Sequence, residues 1–287
     1  MRLFIFGIGY SAQAFVKIIQ SRCQWIAGTT RSAEGMTALQ ELGVTPHLFD
    51  GRSPGAGVAE ALAEATHVLI SIGPDANGDP VLNHYGEDLA SAADLKWIGY
   101  LSTVGVYGNH DGAWVDEKSA CRPVSKRSLW RVAAEQSWMS RAADLNVPLG
   151  LFRLAGIYGP GRSAFDKLRS GTAKRIIKPG QVFNRIHVDD IAAVLDLASN
   201  AEATGIFNVT DNEPAPPQDV IAAAADIMGI EPPPEIDFTA ADMTPMGRSF
   251  YGENKRVSNT HARSALGWDP IYPAYREALA AMWQAEN

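Results

Sequence analysis

A doubly wound parallel α/β sheet followed by a smaller C-terminal lobe is the architecture this sequence predicts, and three observations predict it. A glycine-rich turn, Gly7-Ile8-Gly9-Tyr10-Ser11-Ala12, stands between the apolar run Leu3-Phe4-Ile5-Phe6 and a helical pattern. Apolar runs of strand length then alternate with helical patterns as far as Leu154. Past Gly156 that rhythm breaks at Gly159-Pro160-Gly161, Pro179-Gly180, Pro214 to Pro217 and Pro232-Pro233-Pro234.

The first strand and the turn after it make a phosphate-binding loop. Gly7 permits the tight turn, Gly9 lets backbone approach a pyrophosphate with no Cβ in the way, and Ala12 lets helix and strand pack closely. The helix that follows offers free N–H donors and a partial positive charge to an anion, so Tyr10 and Ser11 join the candidate cofactor contacts. The second strand, Gln24 to Arg31, ends without the Asp or Glu that would bind the ribose 2′-hydroxyl of NAD. Thr30-Arg31-Ser32 stands there instead, a guanidinium and two hydroxyls suited to the 2′-phosphate of NADP. NADP is therefore the expected cofactor, with NAD second; the alternative is that Arg31 is a solvated loop cation.

The remaining elements follow in order. A helix with Leu39 and Leu42 leads to a strand from Thr45 to Phe49, closed by Asp50; then come a helix from Val58 to Ala65 and a strand from His67 to Ile72, ending at Gly73-Pro74. A helix near Tyr85 to Leu95, a strand from Trp97 to Ser102, a long helix from Ser128 to Asp144 and a strand from Pro148 to Leu154 complete the alternation. Residues 1–155 are thus expected to form a dinucleotide-binding domain of Rossmann type. Residues 156–287 are expected to form a mixed substrate-binding lobe, with some return of chain to the first domain, and helices at Val188 to Ser199, Gln218 to Met228 and Tyr275 to Trp283.

Composition narrows the function classes. The chain has 287 residues, 46% of them hydrophobic, and a formal net charge of -7, with no basic run interleaved with aromatics, which argues against a nucleic-acid partner. Acidic substrates must then be met by local cations. Cys23 and Cys121 lie far apart, read as small buried hydrophobes, and suggest neither a zinc site nor a disulfide. His187 with Asp189 and Asp190 lacks metal-ligand spacing and reads as a helix start, with the Asp residues as cap and first-turn anions, so no metal is expected. No leader or membrane span is evident, and a cytoplasmic location is expected.

Three further stretches carry a family resemblance. Leu101-Ser102-Thr103-Val104-Gly105-Val106-Tyr107-Gly108, Arg153-Leu154-Ala155-Gly156-Ile157-Tyr158-Gly159-Pro160-Gly161 and Arg185-Ile186-His187-Val188-Asp189-Asp190-Ile191-Ala192 resemble successive signatures of the extended short-chain dehydrogenase/reductases, the NAD(P)-dependent epimerase/dehydratase group. Phe207-Asn208-Val209 with Glu213-Pro214, and Asn254-Lys255-Arg256 with Leu266-Gly267-Trp268, resemble its late segments. The glycine loop departs from the resemblance, since the group usually has the longer G-x-x-G-x-x-G.

The resemblance implies roles. Thr103 falls where the group's catalytic Ser or Thr orients a substrate hydroxyl, though a Thr there can also simply cap the turn; Asp50 is placed to reach adenine, or to form a turn with Gly51; Ile72 and Gly73 are placed to back a ribose. The dehydratases' Asp-Glu pair is replaced by Val104-Gly105, which disfavours elimination of water by their route. The group's Tyr and the Lys four residues later fall on Arg127 and Arg131, and a guanidinium keeps its proton at any ordinary pH. Those arginines either form a cationic floor in the cleft or belong to a solvated face with Arg131 pairing to Glu135. Tyr107, by the resemblance a packing residue, is the nearest substitute phenol, with His110 a weaker candidate on the same loop. The expected function is that of an NADP-linked oxidoreductase or epimerase for a small sugar-like or nucleotide-sugar substrate, without the usual Tyr-x-x-x-Lys pair. The alternative is a non-catalytic NADP-binding sensor or scaffold. Apolar positions around Trp130, Ala134 and Trp138 leave a homodimer open.

Overall fold

The computed structural model describes residues 1–286. Its centre is a seven-stranded sheet in which every neighbouring pair is parallel. In chain order the first elements are β1 (Arg2–Phe6), α1 (Tyr10–Ile19), β2 (Trp25–Thr30), α2 (Ala33–Glu41), β3 (Thr45–Leu48), α3 (Val58–Ala63) and β4 (His67–Ile70). Then come α4 (Pro80–Tyr85), α5 (Asp88–Ser91), β5 (Trp97–Thr103), the short β6 (Trp114–Val115), α6 (Lys126–Leu145) and β7 (Leu149–Leu154). The second part holds β8 (Gly156–Tyr158), α7 (Ala164–Arg169), β9 (Arg175–Ile177), β10 (Arg185–His187), α8 (Val188–Asn200), β11 (Gly205–Val209), α9 (Pro217–Met228), β12 (Glu235–Asp237), α10 (Pro245–Phe250), β13 (Arg256–Val257), α11 (Thr260–Leu266) and α12 (Tyr275–Glu286).

Strand order is β3-β2-β1-β4-β5-β7-β11, so the chain reverses direction across the sheet between β1 and β4. Both faces are covered, and the strand residues therefore alternate between two cores. Leu3 and Ile5 pack with Phe15, Val16, Ile19, Phe152 and Phe207; Phe4 and Phe6 pack on the other side with Phe49, Ile70, Tyr85, Tyr100 and Trp138. All four residues of Leu3 to Phe6 have no exposure, as a central strand covered by helices requires.

Two elements from beyond residue 155 return to this sheet: α8 packs on α1, and β11 extends the edge beside β7 in the register Phe207 to Phe152. The other late elements pair as small two-stranded sheets, β8 with β10, β9 with β12, and β6 with β13. No helix among the described residues is long and apolar enough to cross a membrane. Among the same residues no group of three His, Cys, Asp or Glu could hold a metal ion.

Several local expectations are corrected. The helix expected near Tyr85 to Leu95 is two short helices, because Asp79 caps α4 by accepting from the N–H groups of Val81 (3.0 Å) and Leu82 (3.2 Å), starting the helix earlier at Pro80. The cap of α8 is His187 and not an aspartate: its Nδ1 accepts from the Asp189 N–H at 3.2 Å, and burial keeps the ring neutral by pushing its pKa down. Asp190 instead accepts from the Ile271 and Tyr272 N–H groups, at 2.7 and 3.1 Å. Cys23 and Cys121 are free and only half-buried.

One buried ion pair ties β5, α6 and β7 together. Arg153 on β7 grips Glu135 on α6 through two bonds, Nε to Oε1 at 3.2 Å and Nη2 to Oε2 at 2.8 Å, and the Ser102 hydroxyl of β5 donates to the same carboxylate. Arg153 also donates to the Tyr107 hydroxyl at 3.0 Å, which donates in turn to Asn208 Oδ1 at 2.7 Å. Removing one partner strands a buried charge, so Arg153→Met should cost about 3–5 kcal/mol in urea denaturation, and adding Glu135→Leu should recover most of that loss. A single variant within about 1 kcal/mol of the unaltered protein would show that the pair is dispensable.

Candidate functional site

The crevice opens where β1 and β4 part, at the carboxyl ends of the strands, the place where open α/β sheets bind ligands. Gly7 has φ +81, and a Cβ on it would run into Ile72 Cγ2, so the loops after β1 and β4 touch at this point and leave no room for a side chain. At Gly9 a Cβ would meet nothing within 4 Å; it would project into open space at the start of α1. No side chain caps that helix and its first turn carries no acidic residue, so its N–H donors are available to an anion. The loop is held by Gly7 N–H to Thr29 Oγ1 (2.8 Å) and Ile8 N–H to the Thr29 carbonyl (3.0 Å). These are the features a dinucleotide pyrophosphate needs, and they fit one.

Tyr10 reaches across the crevice, donating from its hydroxyl to the Pro160 carbonyl at 3.0 Å, while Ser11 and Ala12 are buried in the first turn of α1. At the end of β2 Arg31 is exposed and makes no hydrogen bond or ion pair with a described residue. Ser32 caps α2, its Oγ accepting from the Gly35 N–H at 3.1 Å, and Thr30 packs over the same turn. Asp50 accepts from the Arg52 N–H at 2.9 Å, which makes it a turn residue beside Gly51; its other carboxylate oxygen takes no part in that bond.

At the other end, Thr103 closes β5 in register with Leu154, and its Oγ1 accepts from the Gly105 N–H at 3.1 Å. The turn-capping role is thus real, and the hydroxyl proton remains available to a ligand. Thr103, Gly73, Arg127 and Arg131 line one cleft of about 1570 Å³ between the sheet and the second lobe. Arg131 donates from Nη1 to the Tyr100 hydroxyl and to the Leu101 carbonyl, both at 2.9 Å, and its Nη2 is 3.0 Å from where a Cβ on Gly73 would be. The solvated-face alternative is therefore corrected for Arg131: Glu135 faces inward to Arg153.

Tyr107 does not reach this cleft. It has no exposure, its hydroxyl is shared between Arg153 and Asn208, and burial pushes its pKa up to about 12, all of which make it a packing residue. His110 is tied to the loop carbonyl of Ala120 at 3.3 Å. Ala134 and Trp138 belong to the core and cannot form a dimer face, while Trp130 lines the cleft.

The facing wall was not singled out from sequence. Arg162, Lys167, Lys174 and Arg185 join Arg127 and Arg131 around the cleft, and with Lys255 they outnumber the lining carboxylates of Asp75, Asp166, Asp242 and Glu253, so an acidic chain carries an excess of positive charge inside it. Residues 162 to 185 come from a turn, two short elements and a loop, and no periodicity announces that their cations converge.

No family model matches the chain. Its architecture is nevertheless shared with solved structures, among them a putative NAD-dependent epimerase/dehydratase from Methylobacillus flagellatus, which aligns with TM-score 0.70 and 24% identity over 99% of this chain and 98% of that one, a likeness of fold. One of them, UDP-glucuronic acid 4-epimerase from Bacillus cereus in complex with UDP-glucuronic acid and NAD, aligns with TM-score 0.78 and 17% identity over 99% of this chain and 98% of that one. Within this fold, the chain belongs to one family with a functionally unknown conserved protein from Silicibacter pomeroyi DSS, at 49% identity and TM-score 0.91 over 99% of this chain and 98% of that one. A 3-diazoavenalumate denitrifying reductase from a Streptomyces species is 32% identical over 161 residues; the match spans 52% of this chain and 51% of that reductase, about half the length of this curated relative.

The two loop glycines make opposite predictions. Gly9→Val fills only open space, so it should leave circular dichroism and melting temperature nearly unchanged while abolishing dinucleotide binding. Gly7→Val meets both a left-handed backbone and Ile72, and should destabilise by about 1–3 kcal/mol or more. Normal NADPH binding by folded Gly9→Val would show that the loop holds no phosphate.

Proposed function

We propose that the chain is an NADP-dependent oxidoreductase or epimerase acting on a small sugar-like or nucleotide-sugar substrate, with a proton donor other than the usual tyrosine. The observation that carries this reading is the meeting, in one cleft, of a hydroxyl at the end of β5 and a guanidinium beside the loop after β4, with the glycine loop and its uncapped helix adjoining through the contact of Gly7 with Ile72, the neighbour of cleft-lining Gly73. Neighbours of the same fold that hold NAD support the cofactor class. The end of β2, where Thr30-Arg31-Ser32 holds no carboxylate and Arg31 is unpaired, supports NADP in particular.

When bound, the nicotinamide supplies a centre that gives or takes hydride. The chain's own groups then divide the remaining work. Gly7 and Gly9, with the N–H groups of Tyr10, Ser11 and Ala12, hold the pyrophosphate, and Thr30, Arg31 and Ser32 hold the adenosine end. Asp50, Ile72 and Gly73 shape the ribose and adenine walls. Thr103 orients the substrate oxygen. Arg127 and Arg131 stabilise negative charge there without moving a proton, so the proton comes from water or from the substrate's own hydroxyl groups. A non-catalytic NADP sensor or scaffold is the second reading, and one observation favours it: position 127 offers no phenol.

Two measurements test this reading. A charge-assisted bond to the 2′-phosphate is worth about 1.5–3 kcal/mol, so calorimetry should show NADPH binding at least about tenfold tighter than NADH, with Arg31→Ala removing the difference. Equal affinities in the unaltered protein would return the assignment to NAD. Thr103→Val should lower turnover at least about tenfold while NADPH affinity stays within about twofold, since it removes one hydroxyl from the reacting end only. Nicotinamide absorbance followed over a panel of sugars, sugar nucleotides and simple carbonyls gives the readout; no turnover of any of them, with tight NADPH binding, would establish the sensor instead.

A further inference from the structure

At the second-lobe end of the cleft, β8 and β10 run in parallel with Arg185 opposite Gly156 and His187 opposite Tyr158. Side chains alternate along strands, so Arg185 and Tyr158 lie on the same face of this pair. Tyr275, the first residue of α12, closes the recess, with its ring centre 5.9 Å from the Arg185 guanidinium carbon. Val220, Ile221 and Leu279 add apolar wall to the same cleft.

Arg185 is a half-buried cation that forms no ion pair with a described residue. Its Nη1 donates to the carbonyls of Phe183 (2.9 Å) and Ala215 (3.0 Å), and no carboxylate among the described residues lies within ion-pair distance of it. Burial pulls its pKa below the ordinary guanidinium range. The neighbouring acid, Asp211, makes no ion pair with it; burial pushes that carboxyl up to about 8, and its Oδ2 has no hydrogen-bond partner. The hydroxyl groups of Tyr158 and Tyr275, which flank the guanidinium, are likewise buried without partners. A cation without an ion-pair partner among unsatisfied polar groups is costly, and that cost falls when an anion arrives.

We propose that this recess is a carboxylate subsite, in which Arg185 receives the carboxylate of an organic acid whose body lies along Val220, Ile221 and Leu279. The proposal rests on the reading of the cleft as a substrate site and adds the substrate's class. A carboxylate suits the recess better than a phosphate monoester, because one cation balances one charge, and a phosphate brings nearly two into apolar surroundings.

Benzoate, benzamide and phenyl phosphate are the probes, titrated calorimetrically into the intact protein without cofactor. Benzoate should bind the unaltered protein at least about tenfold more tightly than neutral benzamide, and Arg185→Met should lose at least about tenfold of that affinity, the scale of one charge-assisted contact. Arg185→Lys keeps the charge without the fork and should fall between the two. Because Arg185 bonds the Phe183 and Ala215 carbonyls and no residue of the glycine loop, NADPH affinity should be unchanged in both variants. Benzoate binding no better than benzamide, phenyl phosphate binding more tightly than benzoate, or undiminished benzoate affinity in Arg185→Met would each overturn the proposal. Should Arg185→Met fail to fold, the comparison of benzoate with benzamide on the unaltered protein still decides. Failure of the unaltered protein to bind NADPH would sink the proposed function while leaving the benzoate result to stand.

Discussion

Much of this molecule depends on the clasp between Arg153 and Glu135. It joins the last residues of β5 and β7 to the middle of α6, and those three elements carry Thr103, the start of the second lobe, and the two cleft-facing arginines. A two-bond guanidinium–carboxylate contact is directional, so it fixes the rotation of α6 about its own axis as well as its distance from the sheet. Rotation is what matters for chemistry. With Glu135 turned inward, Arg131, one turn earlier on the helix, is directed at the ends of β4 and β5 and away from solvent. Such a pair contributes little net stability relative to well-packed apolar residues, and its service is to make one orientation of the helix far better than its neighbours.

The sheet was legible because its signal is periodic and repeated. Strand runs such as Leu3 to Phe6 and His67 to Ile70 are short, apolar and separated by helical patterns, which leaves parallel order as the simple solution. The glycine loop was legible for a different reason: Gly7 and Gly9 are required by backbone geometry and by open space, and both requirements act within a few residues. Where the sequence misled, a single side chain decided locally. Asp79 started a helix several residues early, and His187 took a capping role that aspartates more often fill.

The second lobe was hardly legible at all. Tyr158, Arg185 and Tyr275 come from two short strands and a C-terminal helix more than a hundred residues apart at the extremes, and only tertiary assembly brings them together. Tyr107 shows the converse error. Its place on the loop that follows Thr103 made it a substitute phenol, but the 3₁₀ turn at Val104–Tyr107 directs its ring into the core beneath the strand ends. Closeness along the chain says little about direction when a tight turn intervenes.

The bond from Tyr10 to the Pro160 carbonyl carries a consequence for how such a chain can change over time. It links the third residue after the first loop glycine to a turn at the mouth of the other lobe, where Gly159 leaves no space for a side chain beside the same hydroxyl. Lengthening the glycine loop by one residue would change the path by which the chain enters α1, and with it the approach of the Tyr10 hydroxyl to Pro160. The short loop and the Gly159-Pro160-Gly161 turn are therefore coupled through the Tyr10 hydroxyl. In any lineage of this family, an insertion in the first should be accompanied by substitution in the second.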